Sequence, residues 1–302
     1  MVNKKLVLKN IVYSVGTRII ILIIGIILPR LLITSFGSEI NGLLSTVTQI
    51  FTYLALLESG IGNSAINALY KPLEEKNYLE ANEIAGEARQ YYRKVSSIYG
   101  IAIVIFSVIY PFLARTTLRK ELVFGIIILQ GAANFIGYYF TAVYSQILTA
   151  DGRGFINQNI SFFSYVLSSM IKIVLIILGC NVIAVQLGYF IVSVVKIPII
   201  RNLCKKKYPW LDFKVVENKN RLKERGAFVV HEISNTIFNN TDVFLISTFC
   251  SFSMASVYYV YNLVFSSITT ILTTANSGLG FVLGQNKDKE LSQLRWIYDA
   301  YV

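Results

Sequence analysis

Four basic side chains, Arg18, Arg30, Lys172 and Lys196, stand deep within the first six long apolar stretches of this chain, against a single acid there, Glu58. An ionised group in hydrocarbon is costly, so such residues face a bundle interior, a watery cavity or each other. Two of them sit in polar stripes. Lys196 follows Gln186, Tyr189 and Ser193, and Lys172 follows Ser161, Tyr165 and Ser168. Gln130, Asn134, Tyr138, Thr141 and Ser145 form a third stripe, and Asn41, Ser45, Gln49 and Thr52 a fourth. Spacings of three and four residues put each set along one side of a helix. The chemistry this pattern suits is the binding of negative charge beside hydroxyl-rich groups, with no covalent step.

Two readings of the stripes stand side by side. Ser, Thr, Asn and Gln bridge packed membrane helices, so the neutral residues serve as helix–helix contacts. Alternatively, Gln130, Asn134, Tyr138, Tyr189 and Asn262 face sugar hydroxyls. Arg18 and Glu58 lie about eight residues, ~12 Å, from the same end of their helices and can pair. Arg30 can reach a headgroup layer. Lys172 and Lys196 then lack a carboxylate partner in the first six spans, which marks them, with Arg18 and Arg30, as candidates to line a cavity that accepts an anion. Further on, Glu232, Asn235, Asn239 and Asp242 share one helical face. With Glu58, three of these (Glu232, Asn239 and Asp242) are candidates for gating or for coupling to a cation; a packing stripe is the alternative.

The elements that must position these residues follow from composition. The 302-residue chain is 54% hydrophobic, with a mean hydropathy of +0.57, outside the range usual for soluble domains. Eight apolar stretches, near 10–34, 40–66, 95–114, 122–147, 157–179, 182–203, 227–249 and 254–284, reach the ~20 residues needed to cross a bilayer. Backbone facing lipid must be internally hydrogen-bonded, so these spans are expected to be helices and the fold all-α. The first reads as an uncleaved anchor. The net charge of +11 is distributed as a topology signal, concentrated in alternate loops and before the first span, which predicts a cytoplasmic N-terminus in a multi-pass plasma-membrane protein and no nucleic-acid partner. Residues 71–94 suit a short amphipathic helix on the inner face. Residues 205–226 read as a basic linker, so that 1–204 forms a first lobe of six helices and 227–302 the start of a second lobe with two.

A repeat supports that division. Leu32-Ile33-Thr34-Ser35-Phe36, followed by Gly37-Ser38, returns as Leu245-Ile246-Ser247-Thr248-Phe249, followed by Cys250-Ser251, 213 residues later. Six apolar stretches begin in the interval, so both copies belong on one side of a membrane, as in transporters built from parallel repeats. No phosphate-binding Gly-rich loop, nucleophile–base pair or metal-ligand spacing is visible, and His231 stands alone; an enzyme is not expected. Cys180, Cys204 and Cys250 carry little information.

Certain residues resemble a known family. Phe36-Gly37-Ser38-Glu39-Ile40-Asn41-Gly42-Leu43, Leu57-Glu58-Ser59-Gly60-Ile61-Gly62, Ala150-Asp151-Gly152-Arg153 and Asn240-Thr241-Asp242-Val243-Phe244-Leu245-Ile246-Ser247 are similar to segments of bacterial polysaccharide-export flippases. These form a branch of the multidrug/oligosaccharidyl-lipid/polysaccharide flippase superfamily. The resemblance implies a two-lobed transporter of twelve to fourteen helices. Such a protein moves an undecaprenyl-pyrophosphate-linked oligosaccharide between leaflets by alternating access, its first lobe receiving the pyrophosphate. It would need no cofactor beyond a coupling H+ or Na+, and would work beside glycosyltransferases and a polysaccharide polymerase in the lipid bilayer. This sequence departs from the pattern in stopping after eight helices, as a fragment of a longer protein or a degenerate product would. A cation-coupled exporter of the same fold, which would favour acids in the cavity, and a non-transporting scaffold for glycan assembly are the alternatives.

Overall fold

The computed structural model describes residues 4–114, 116–213 and 241–285. Among them there is no strand. The helices are α1 (Lys4–Phe36), α2 (Ser38–Glu74), α3 (Tyr78–Leu113), α4 (Lys120–Ala150), α5 (Gly154–Ile177), α6 (Val182–Lys207), α7 over 241–249, and α8 (Phe252–Gln285). Within the described residues, five stretches are long and apolar enough to cross a membrane: Gly16–Phe36, Tyr78–Leu113, Lys120–Ala150, Gly154–Ile177 and Val182–Lys207. The expected span 227–249 lies outside the described residues up to position 240.

The chain divides into two compact units, residues 31–257 and residues 1–30 with 258–302. The division falls within α1 and α8. In the smaller unit, Gly25 of α1 leaves room for the Leu263 side chain of α8, whose Cδ1 would lie 3.5 Å from a Cβ at that position.

In the larger unit α4 is central, packed against α2, α3, α5 and α6, with α2 also against α3 and α5 against α6. At one end the helix turns are Glu75–Asn77, Asp151–Arg153 and the end of α6, and here most of the basic residues gather. This basic end has a dense core: Ala81, Ala85 and Ala88 of α3 pack on Ala142, Ile147 and Leu148 of α4 and on Ile200 and Cys204 of α6. Alanines let the helix axes approach closely. Segment 71–94, expected as one surface helix, is instead shared between the last turn of α2 and the first four turns of α3. Ile84, Ala85, Ala88 and Tyr92 are buried in this core, whereas Leu79 is exposed.

The start of the expected linker is likewise packed. Trp210 stacks on Tyr78 with ring centroids 5.1 Å apart. Asn82 donates to the Trp210 carbonyl at 3.4 Å and accepts from the Asp212 N–H at 2.9 Å. The Tyr208 hydroxyl donates to Asp151 at 2.6 Å, and Asp151 pairs with Arg153 at 3.2 Å. Burial and the neighbouring carboxylate push the Tyr208 phenol well above its usual range. Residues 214–226 lie outside the described residues.

At the opposite end the two copies of the repeat meet. Gly37, in the left-handed region at φ 86°, turns the chain from α1 into α2, a conformation that side-chain-bearing residues avoid. Ser251 caps α8, its hydroxyl accepting from the Met254 N–H at 3.2 Å. The first turns of α2 and α8 then lie against each other. Ser38 donates to Ser253 at 3.1 Å, and Asn41 to Ser256 at 2.7 Å. A Cβ at Gly42 would overlap the carbonyl oxygen of Phe252. Backbone thus touches backbone where the repeats join. Thr117, in the α3–α4 connection, donates to Glu39 at 2.6 Å and fixes that loop to the same corner.

Candidate functional site

Between α4, α5 and α6 lies a cavity of about 410 Å³, lined on α4 by Asn134, Tyr138, Thr141, Ser145 and Gln146, on α5 by Ser161, Ser164, Tyr165 and Ser168, and on α6 by Tyr189, Ser193 and Lys196. Three of the stripes read from helical spacing therefore face one space. Several hydroxyls are tied back to their own helix: Thr141 donates to the Gly137 carbonyl at 2.6 Å, Ser168 to Tyr165 at 2.9 Å and Ser193 to Tyr189 at 3.0 Å. With their protons so engaged, their oxygens keep acceptor capacity toward the cavity.

Lys196 supplies the charge. Its ammonium donates to Ser161 Oγ at 2.9 Å. No Asp or Glu is among the lining residues described. An ammonium has three N–H donors, so two remain for a bound group. Lys172 does not line the cavity. Its Nζ lies 4.5 Å from the centroid of the Tyr189 ring, a cation–π contact. Tyr189 is itself a lining residue, so Lys172 stands one ring behind the cavity wall.

The remaining sequence candidates scatter. Gln130 is turned to α2, its amide donating to Thr48 at 2.6 Å, a helix–helix contact. Asn134, Tyr138 and Tyr189 are in the cavity wall. Arg18 and Arg30 are exposed on α1 and Asn262 is half-buried on α8, all three outside the larger unit that holds the cavity. Asp242 is exposed on α7. Glu232 and Asn239 lie outside the described residues, as does the side chain of Glu58. In the second-span stripe, Ser45 and Thr52 bond to carbonyls of their own helix, and Asn41 serves the α2–α8 contact.

Two polar lining residues escaped the sequence reading. Gln146 faces the cavity and donates to the Tyr92 hydroxyl at 2.9 Å; it lies one position beyond the α4 stripe. Ser164 continues the α5 stripe three residues after Ser161, a signal that was present in the spacing.

No protein-family model matches this chain, and no curated protein does. Solved structures do. One, described as the inward-facing conformation of a multidrug resistance MATE family transporter of the MOP superfamily, is 14% identical with a TM-score of 0.68. The match covers 91% of this chain and 66% of that one. Another, described as protein A, is 15% identical with a TM-score of 0.66, over 99% of this chain and 69% of that one. At this identity the likeness defines the fold. The chain is a multi-pass membrane protein, all-α among the described residues, with a fold similar to that of these structures, and it spans about two thirds of their length.

Proposed function

We propose that the chain belongs to a flippase that moves an undecaprenyl-pyrophosphate-linked oligosaccharide from the inner to the outer leaflet of a bacterial plasma membrane, for surface polysaccharide synthesis. The observation that carries this reading is the α4–α5–α6 cavity: a lysine, a wall of hydroxyls and amides, and no carboxylate among the described lining residues. A pyrophosphate would take the free donors of Lys196, and sugar hydroxyls would exchange hydrogen bonds with Asn134, Tyr138 and the serines. The volume falls in the range of small-molecule sites. H+ or Na+ coupling, a cytoplasmic N-terminus, and glycosyltransferases and a polymerase as partners belong to the same proposal.

A cation-coupled exporter is the second reading, favoured by the description of the first structure above. A site for cationic cargo calls for acids, and the charge in this cavity has the opposite sign. The experiment that separates the two is the leaflet distribution of lipid-linked oligosaccharide in cells depleted of the protein. Trapping on the inner leaflet, relieved by re-expression, is the expected result. An unchanged distribution, together with lost resistance to a cationic drug, selects the exporter.

A further inference from the structure

A second group of cations stands outside the cavity, where α3, α4 and α6 converge at the basic end. Arg89 and Arg93 are one turn apart on α3 and Arg201 is on α6, near enough that both other charges bear on Arg89. Aromatic rings hold two of them: the Arg89 guanidinium carbon lies 4.4 Å from the centroid of Phe213, and that of Arg93 lies 5.4 Å from Tyr139. Phe213 is braced edge-on by the buried Tyr144, at 5.4 Å between centroids. Stacking covers a guanidinium's faces and leaves its N–H edges free for an oxyanion. Among the described residues, no carboxylate pairs with any of the three arginines. Three like charges held together repel, and an anion among them relieves that cost.

Their depth says which anion. Arg93 precedes Leu113, the last residue of α3, by 20 residues; Arg201 follows Val182, the first of α6, by 19, and Tyr139 follows Lys120, the first of α4, by 19. At 1.5 Å per residue each lies about 29–30 Å from the opposite end, the thickness of a bilayer's hydrocarbon layer. The cluster therefore stands at headgroup level, with Tyr139 where interfacial aromatics gather. From there toward the opposite end, Ile98, Ile101 and Ile105 on α3 and Val195 and Ile199 on α6 are exposed. Guanidiniums at the interface, with exposed apolar side chains deeper on α3 and on α6, match a phosphate carrying acyl chains.

We infer that Arg89, Arg93 and Arg201, with Tyr139, form a binding site for the phosphate of an anionic phospholipid. Basic pockets between helices at the membrane surface recognise such headgroups, and arginine's fork suits phosphate oxygens. The site is distinct from the cavity, since none of its residues lines that space, and it does not depend on what the cavity carries.

The test uses the purified chain in neutral detergent. Its melting temperature is measured with added phosphatidylglycerol, phosphatidylcholine or inorganic phosphate at equal concentration, for the native sequence, for Arg93→Gln with Arg201→Gln, and for Lys196→Ala. Phosphatidylglycerol should raise the melting temperature by several degrees in the native chain and in Lys196→Ala, and by less than half as much in the double variant. An equal rise in the double variant, or with phosphatidylcholine, overturns the site; an equal rise with inorganic phosphate overturns its assignment to a lipid. Should the double variant not fold, photo-crosslinking of a phosphatidylglycerol probe to the native chain decides. Adducts within 89–93, at 139 or at 201 support the site, and adducts confined elsewhere overturn it.

Discussion

Lys196 of α6 gives a proton of its ammonium to Ser161 of α5 at 2.9 Å, a neutral hydroxyl rather than a carboxylate. A carboxylate partner would have to be displaced before an incoming anion could use the charge. A hydroxyl holds the ammonium in place and leaves its charge unspent. Hydrogen bonds to a charged group contribute about 1.5–3 kcal/mol, so Lys196→Gln is expected to lower flipping of lipid-linked oligosaccharide roughly tenfold or more with unchanged membrane insertion. Ser161→Ala, which removes only the positioning, should cost roughly two- to threefold. Leaflet-resolved measurement of the lipid-linked sugar checks both, and native flipping by Lys196→Gln would remove the basis of the anion-cavity reading.

Tyr189 joins the second lysine to the cavity. Tyr189→Phe keeps a ring under Lys172 and should retain most transport, whereas Tyr189→Leu removes the ring and should resemble Lys172→Ala. A cation–π contact is worth about 0.5–2 kcal/mol, so the expected loss is roughly two- to thirtyfold in the same assay. If phenylalanine and leucine act alike, the contact has no part in transport.

The α2–α8 junction makes a prediction about stability. A side chain at Gly42 would run into the Phe252 carbonyl, and backbone cannot swing aside as a flexible side chain can. Overpacking of this kind costs about 1–3 kcal/mol or more. Gly42→Val should accumulate poorly and melt several degrees lower. Thr48→Val on the same helix, which gives up the Gln130 contact, is expected to be milder. Equal melting temperatures for Gly42→Val and the native chain would count against the close approach.

Tyr208 provides a pH signature. Burial and the Asp151 carboxylate raise its phenol above the unfolded value, which is about 10. The folded chain therefore holds the Tyr208 proton after the unfolded chain has lost it. That stabilisation is complete below pH ~10 and is lost as pH rises from there through the folded value, at up to about 1.4 kcal/mol per pH unit. Tyr208→Phe should be less stable at neutral pH by about 1–2 kcal/mol and show a flatter alkaline decline. Denaturation followed at pH 8 to 11 checks it. Parallel curves for the two proteins would assign the decline to other groups.

Helix periodicity is a local property of a sequence, which is why the α4, α5 and α6 stripes could be read before their meeting was seen. Asn134, Tyr138, Ser161, Ser168, Tyr189 and Lys196 all face one cavity because each lies on the polar side of its own helix. Periodicity does not say how far along a stripe a cavity extends. Gln130 and Lys172 share faces with lining residues, yet one bonds to α2 and the other lies over Tyr189. The packing of the basic end was illegible for another reason. Its α3 contribution is Ala81, Ile84, Ala85, Ala88 and Tyr92 among charged neighbours, an amphipathic pattern that suits a membrane face as well as it suits facing helices. Trp210 and Phe213 lay in a stretch whose lysines drew the reading toward a linker.

The contact of Gly42 with Phe252 also has a mechanical meaning. Side chains in contact can change rotamer and absorb a displacement; two backbones in contact have no such slack. Ser38–Ser253 and Asn41–Ser256, one turn apart, add bonds beside the touching point. The first turns of α2 and α8 are therefore a rigid joint: a tilt imposed on one is delivered whole to the other.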